Sequence, residues 1–84
     1  MPYRIDYSAE ALDHFRGLTA NQRALVDEAI EAQLRHQPTV ETRNRKRLRA
    51  NPRADWELRV RNLRVYYKVP EAVEPVVLIQ AIGI

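Results

Sequence analysis

The stretch from Trp56 to Val69 constrains the fold more than any other part of the chain. It reads Trp-Glu-Leu-Arg-Val, then Arg-Asn, then Leu-Arg-Val-Tyr-Tyr-Lys-Val. Both flanks alternate apolar and polar residues, which is the period-2 mark of half-buried strands. Trp56, Leu58 and Val60 share one face, as do Leu63, Val65, Tyr67 and Val69. Arg61-Asn62 reads as a tight hairpin turn. A two-residue loop pairs Val60 with Leu63. Counting back sets Arg59 opposite Arg64, Leu58 opposite Val65, Glu57 opposite Tyr66 and Trp56 opposite Tyr67. A type I′ turn asks for positive φ at both central positions, which suits Asn62 but not Arg61. A longer, bulged loop would change the pairing.

That register places two guanidinium groups directly across from each other on the polar face. Like charges facing across a ladder destabilise it, by a few tenths to about 1 kcal/mol. Such a breach of local consistency marks a candidate functional site. Two facing arginines can clamp a phosphate, because each offers a planar fork of donors. The alternatives are that both are solvated and splay apart, or that Glu57 draws one aside.

Charge supports a polyanionic partner. The net charge is only +3, but Arg43 to Arg64 holds nine Lys or Arg and two acids, while the remainder is net acidic. A basic stretch on an acidic molecule suits nucleic acid or an acidic protein. Twelve of the fourteen basic residues are arginine, which favours bidentate phosphate contacts and base stacking.

The rest of the chain reads in order. Tyr3 to Tyr7 alternates as a first strand, with Tyr3, Ile5 and Tyr7 inward. Ser8 is an N-cap candidate for a helix from Ala9 to Gly17, with Ala11, Leu12, Phe15 and Leu18 at helical spacing. Thr19 and Gln22 form a capping box for a helix from Ala20 to Gln37, stopped by Pro38. Its inner face is Leu25, Val26, Ala29, Ile30 and Leu34. Arg23/Asp27 and Glu31/Arg35 are spaced to pair on the outer face. The second helix exposes Asp27, Glu28 and Glu31, which argues against a DNA-reading helix-turn-helix.

Pro38 to Asp55 reads as a polar loop. Its run Arg43-Asn44-Arg45-Lys46-Arg47-Leu48-Arg49 is too charged to bury, and Leu48 is its anchor. The functional reading is an arm on a phosphate backbone, formed by Arg43, Arg45, Lys46, Arg47, Arg49 and Arg53, with Arg61 at the turn beyond. The alternative is a solvated loop or an extra helical turn. Val76 to Ile82 is almost continuously apolar and reads as a central strand covered on both faces. The expected architecture is α+β in two layers, β-α-α-β-β-β, with two helices on one face of an antiparallel sheet. Eighty-four residues make one domain, residues 1–84.

The chemistry inventory is short. There is no cysteine, so no disulfide or zinc-thiolate chemistry. No apolar run is long enough to span a membrane and no signal-peptide pattern appears, so a cytoplasmic protein is expected. No cluster has metal-ligand spacing, and no cofactor motif is present. Cutting RNA needs a base for the 2′-hydroxyl, an acid for the leaving oxygen and cations for developing charge. The cations are present. His14 and His36 fall on the helices, away from the hairpin. Glu57 could serve as a base, or pair with Arg59 or Arg64. Tyr66 could stack on a nucleobase.

The chain resembles the RelE/ParE superfamily of bacterial type II toxins over nearly its whole length. The resemblance rests on Tyr3 to Tyr7 followed by Ser8-Ala9-Glu10-Ala11, on the helix pair ending at Pro38, and on Asn44 to Leu48. Its most specific part is Trp56 to Val60 with Leu63 to Tyr67. It implies a compact toxin held inactive by an acidic antitoxin encoded beside it. RelE-like members cut messenger RNA in the ribosomal A site; ParE-like members inhibit DNA gyrase and are not nucleases. By motif, Arg64 matches the arginine that holds the scissile phosphate, and Arg59 matches the arginine of the preceding strand. The chain departs from the RelE pattern at Asp55 and Glu57, where RelE carries lysines. It also ends at Gly83-Ile84, where active members continue into a catalytic tail. The expectation is therefore a ribosome-dependent mRNA endonuclease that inhibits translation. The alternative is a ParE-like gyrase inhibitor, or a degenerate toxin that only binds its antitoxin.

Overall fold

The computed structural model describes residues 2–49 and 54–84. In chain order the elements are β1 (Arg4–Tyr7), α1 (Ala9–Arg16), α2 (Ala20–Gln33), β2 (Arg45–Arg47), β3 (Trp56–Val60), β4 (Leu63–Lys68) and β5 (Val76–Gly83). The strands form one sheet in the order β1-β5-β4-β3-β2. The two helices pack on it, α1 against β1 and β5, α2 against β3. The fold is α+β in two layers, as the patterning implies.

Local signals place the element ends. Ser8 accepts from the Ala11 amide at 3.0 Å, and Thr19 and Gln22 close a reciprocal capping box at 3.1 and 2.9 Å. Helix α2 ends at Gln33, earlier than expected. Leu34 caps the helix with its side chain buried, and the Arg45 guanidinium takes the Gln33 carbonyl there. Leu12 is exposed on α1, although its spacing had put it inward. Arg35 and Glu31 pair as spaced, and Arg35 also donates to the Tyr3 carbonyl at 2.9 Å. Arg23 instead donates to the Leu18 carbonyl at 2.5 Å.

The hairpin keeps the predicted register: Val60↔Leu63, Arg59↔Arg64, Leu58↔Val65, Glu57↔Tyr66 and Trp56↔Tyr67. Its apolar face is buried throughout, with Trp56, Leu58, Val60, Leu63, Val65 and Tyr67 in one core with Val26, Ile30, Val77 and Ile79. Trp56 and Tyr67 stack with ring centroids 6.2 Å apart, and the Tyr67 hydroxyl donates to the Pro38 carbonyl at 2.5 Å. Burial pushes the Tyr67 phenol up. Tyr7 is raised to about 12, first by burial and then by Asp27 and Glu31.

Arg61, not Asn62, takes the left-handed conformation, at φ 59°. Positive φ at the first central position alone follows the type II′ pattern, in which glycine usually holds that place. An arginine there is strained by roughly 1 kcal/mol. Arg61→Gly is expected to stabilise the protein by about 0.5–1 kcal/mol in urea denaturation. An unchanged midpoint would mean that contacts of the Arg61 side chain offset the strain.

Two expectations about the sheet need correcting. Pro38 to Asp55 contains a strand, β2, paired antiparallel with β3. And β1 runs parallel to β5, so the sheet is mixed. The two corrections share a cause. The chain reverses at each step from β2 to β5, and β2 runs against β1. Leaving β2 out of the count removes one reversal and makes β5 antiparallel to β1.

Strand β5 is internal, but only its helix side is fully covered; Leu78, Gln80 and Ala81 are half-buried. A bulge shifts its pairing, Tyr66↔Ala81 followed by Tyr67↔Ile79, so Gln80 is the extra residue. Side chains three apart in a regular strand face opposite ways; the bulge brings Ile82 back to the core face with Ile79. The Ser8 hydroxyl donates to the Gln80 carbonyl at 3.0 Å, tying the bulge to the start of α1.

Candidate functional site

Residues paired across a ladder share a face, so the polar face can be read row by row. One row is Lys46, Glu57, Tyr66 and Ala81. The next is Arg59, Arg64 and Gly83. A third holds Lys68, Leu78 and Asp6. This face lies away from the helices. Next to Arg64 in its row, Gly83 leaves open space: a Cβ there would meet nothing within 4 Å.

The facing arginines are joined by a carboxylate. Glu57 Oε1 lies 3.0 Å from Arg64 Nε and 3.4 Å from Arg59 Nε. Arg64 also donates from an Nη to the Leu63 carbonyl at 3.3 Å. In the sequence reading, Arg64 had no favourable partner directly across. The partner sits diagonally, two pairs down the ladder and next on the same face, within reach of long side chains. The side chains are graded in depth: Glu57 is 16% exposed, Arg64 30% and Arg59 52%. Tyr66 stands next to Glu57 in its row, half-buried.

The cations proposed for RNA divide by position. Lys46 joins the polar face opposite Glu57 and is exposed. Arg43 and Arg49 are exposed in the flanks of β2, and Arg61 is exposed at the hairpin tip. Arg47 pairs with Trp56 on the helix side, its guanidinium 5.8 Å from the indole centroid. Arg53 lies outside the described residues. Arg45 overturns the expectation that this run is too charged to bury. It is 5% exposed, and its guanidinium donates to the Val40 carbonyl at 2.9 Å and to the Gln33 carbonyl at the end of α2. Leu48, the expected anchor, is half-buried and extends the ladder through its amide to the Asp55 carbonyl at 2.8 Å.

His14 sits on the helix side of the sheet, where its Nδ1 accepts from the Ile82 amide at 3.1 Å. This contact was not anticipated; no short-range pattern links residues 68 apart in sequence. His36 is exposed beyond α2. Among the described residues, no group of three or more His, Asp or Glu could hold a metal ion, and no helix is long and apolar enough to cross a membrane. A cleft of about 310 Å³ lies between α2 and the hairpin tip, lined by Leu25, Glu28, Ala29, Arg59, Val60 and Arg61 among others.

No protein-family model matches the chain, and no curated protein is similar enough to match it. Among solved structures, the fold matches a chain of the toxin-antitoxin complex RelBE2 from Mycobacterium tuberculosis. The TM-score is 0.81 at 22% identity, over 99% of this chain and 98% of that one. At that identity the likeness is one of fold, and the fold is the one that the sequence resemblance implied.

Proposed function

We propose that this chain is the toxin of a type II toxin-antitoxin system, a RelE-like protein that inhibits translation by cutting messenger RNA on the ribosome. The observation that carries the reading is the cross-strand pair Arg59 and Arg64 on the sheet face away from the helices. The fold shared with a chain of the RelBE2 complex supports it. In this reading Arg64 holds the scissile phosphate, with Arg59 beside it. The pair offsets charge that builds on phosphorus as the 2′-oxygen attacks and the 5′-oxygen leaves. Tyr66 offers a ring for base stacking. Lys46, Arg43, Arg49 and Arg61 add phosphate contacts at the rim. The partners are an acidic antitoxin and the ribosome with its messenger RNA, and the place of action is the cytoplasm.

One observation favours a second reading, a ParE-like gyrase inhibitor or a toxin that only binds its antitoxin. The carboxylate beside the arginine pair, Glu57, is already occupied by two guanidinium groups. Primer extension on a cellular messenger RNA after induced expression tests both. Expression should arrest growth and create new 5′ ends inside coding sequence within minutes. Arrest with intact messages and loss of DNA supercoiling would replace the first reading by the second.

A further inference from the structure

The depth order at the arginine pair assigns a role to Glu57. A carboxylate between two arginines could plug an anion site, or it could hold the arginines ready for one. A plug would sit at the mouth, outside the cations. Here the order is reversed: Glu57 is the most buried of the three and Arg59 the most exposed. One oxygen, Oε1, takes the Nε of both arginines. Holding a guanidinium by Nε leaves its Nη end free of the carboxylate; one Nη of Arg64 turns to the Leu63 carbonyl at 3.3 Å, which leaves the other to be offered to a ligand. The arginines also oppose each other directly in the ladder, where their charges alone would drive them apart.

We propose that Glu57 is a positioning residue that draws Arg59 and Arg64 together and aims their Nη groups at one bound phosphate. This rests on the reading of the face as an RNA site. It assigns Glu57 to binding and not to proton transfer. The ligand class is a single-stranded RNA phosphate, with an adjoining base beside Tyr66 in the next row.

The prediction runs against simple charge counting. Removing an acid from a basic surface should tighten a polyanion if only net charge mattered. If Glu57 orients the pair, Glu57→Ala weakens binding although the surface becomes more positive. The probe is a short single-stranded RNA with 2′-O-methyl riboses, titrated at constant salt. Glu57→Ala is expected to weaken it about fivefold to tenfold through loss of the shared geometry. Glu57→Gln keeps an oxygen acceptor for Nε and should bind within about twofold of the parent, or more tightly. Glu57→Asp keeps the charge but withdraws it by one methylene, and should weaken binding as alanine does; it decides the matter if the alanine variant does not fold. Melting temperatures of the same samples separate loss of fold from loss of orientation. Tighter binding by Glu57→Ala, or parental binding by Glu57→Asp, would overturn the proposal. Arg64→Ala tests the underlying reading separately: parental binding there would remove the RNA site itself, whatever the Glu57 variants do.

Discussion

Trp56→Ala is expected to lower the stability of the free protein by about 3–5 kcal/mol. The indole is 4% exposed on β3 and stacks on Tyr67, which is fully buried. Its removal leaves a cavity at the junction of β2, β3 and β4, where the backbone ladders prevent collapse. Arg47 would lose the ring beneath its guanidinium as well. A domain of this length has a total stability of roughly 4–12 kcal/mol, so the change is a large share of it. Trp56→Phe retains a ring for the stack and should cost about 1–2 kcal/mol. Urea denaturation followed by far-UV circular dichroism gives both values. An alanine variant with the parental midpoint would mean that the core is centred elsewhere.

Arg45→Met should cost about 2–4 kcal/mol, while Lys46→Ala, one residue along, stays within about 0.5 kcal/mol of the parent. The two side chains are both cations on a three-residue strand, but they point to opposite faces. Arg45 faces inward, where its fork satisfies the Val40 carbonyl and the Gln33 carbonyl. The Gln33 carbonyl is at the negative end of the α2 dipole, which favours a cation there. Methionine fills similar volume but leaves both carbonyls without that donor. The backbone around Arg45 is also tied down: Thr42 donates its amide to the Arg45 carbonyl at 2.9 Å and accepts the Arg45 amide at 3.2 Å. Arg45→Lys should recover little, because one ammonium on a flexible stem does not reproduce the planar fork. Thermal melts of the three variants test this. A methionine variant as stable as the parent would show that the buried guanidinium contributes nothing net, as happens with some buried ions.

Much of the candidate site was legible because it is local. Arg59 faces Arg64 for the same reason that Leu58 faces Val65: a two-residue turn and a period of two leave one register that buries the apolar set. The diagonal from Glu57 to Arg64 followed from that register, although the sequence did not say whether the carboxylate or the solvent would hold the guanidinium. Which cation of the β2 run turns inward was not legible. A run of arginines and one lysine gives no apolar alternation from which to read the faces.

The sequence by itself determined the elements whose ends are written in neighbouring residues. These are the capped starts of α1 and α2 at Ser8 and Thr19, the hairpin with its arginine pair, and the apolar strand β5. Each rests on contacts a few residues apart, so composition and spacing suffice. Tertiary structure alone decided the rest. The pairing of β2 with β3 brings in a segment, Arg45–Arg47, too polar and too short to announce a strand. The parallel seating of β1 on β5 depends on how often the chain reverses in between. The burial of Arg45 depends on where α2 leaves its last carbonyls. In each case the energy comes from groups far apart in sequence, and their partners are fixed only once the layers have packed.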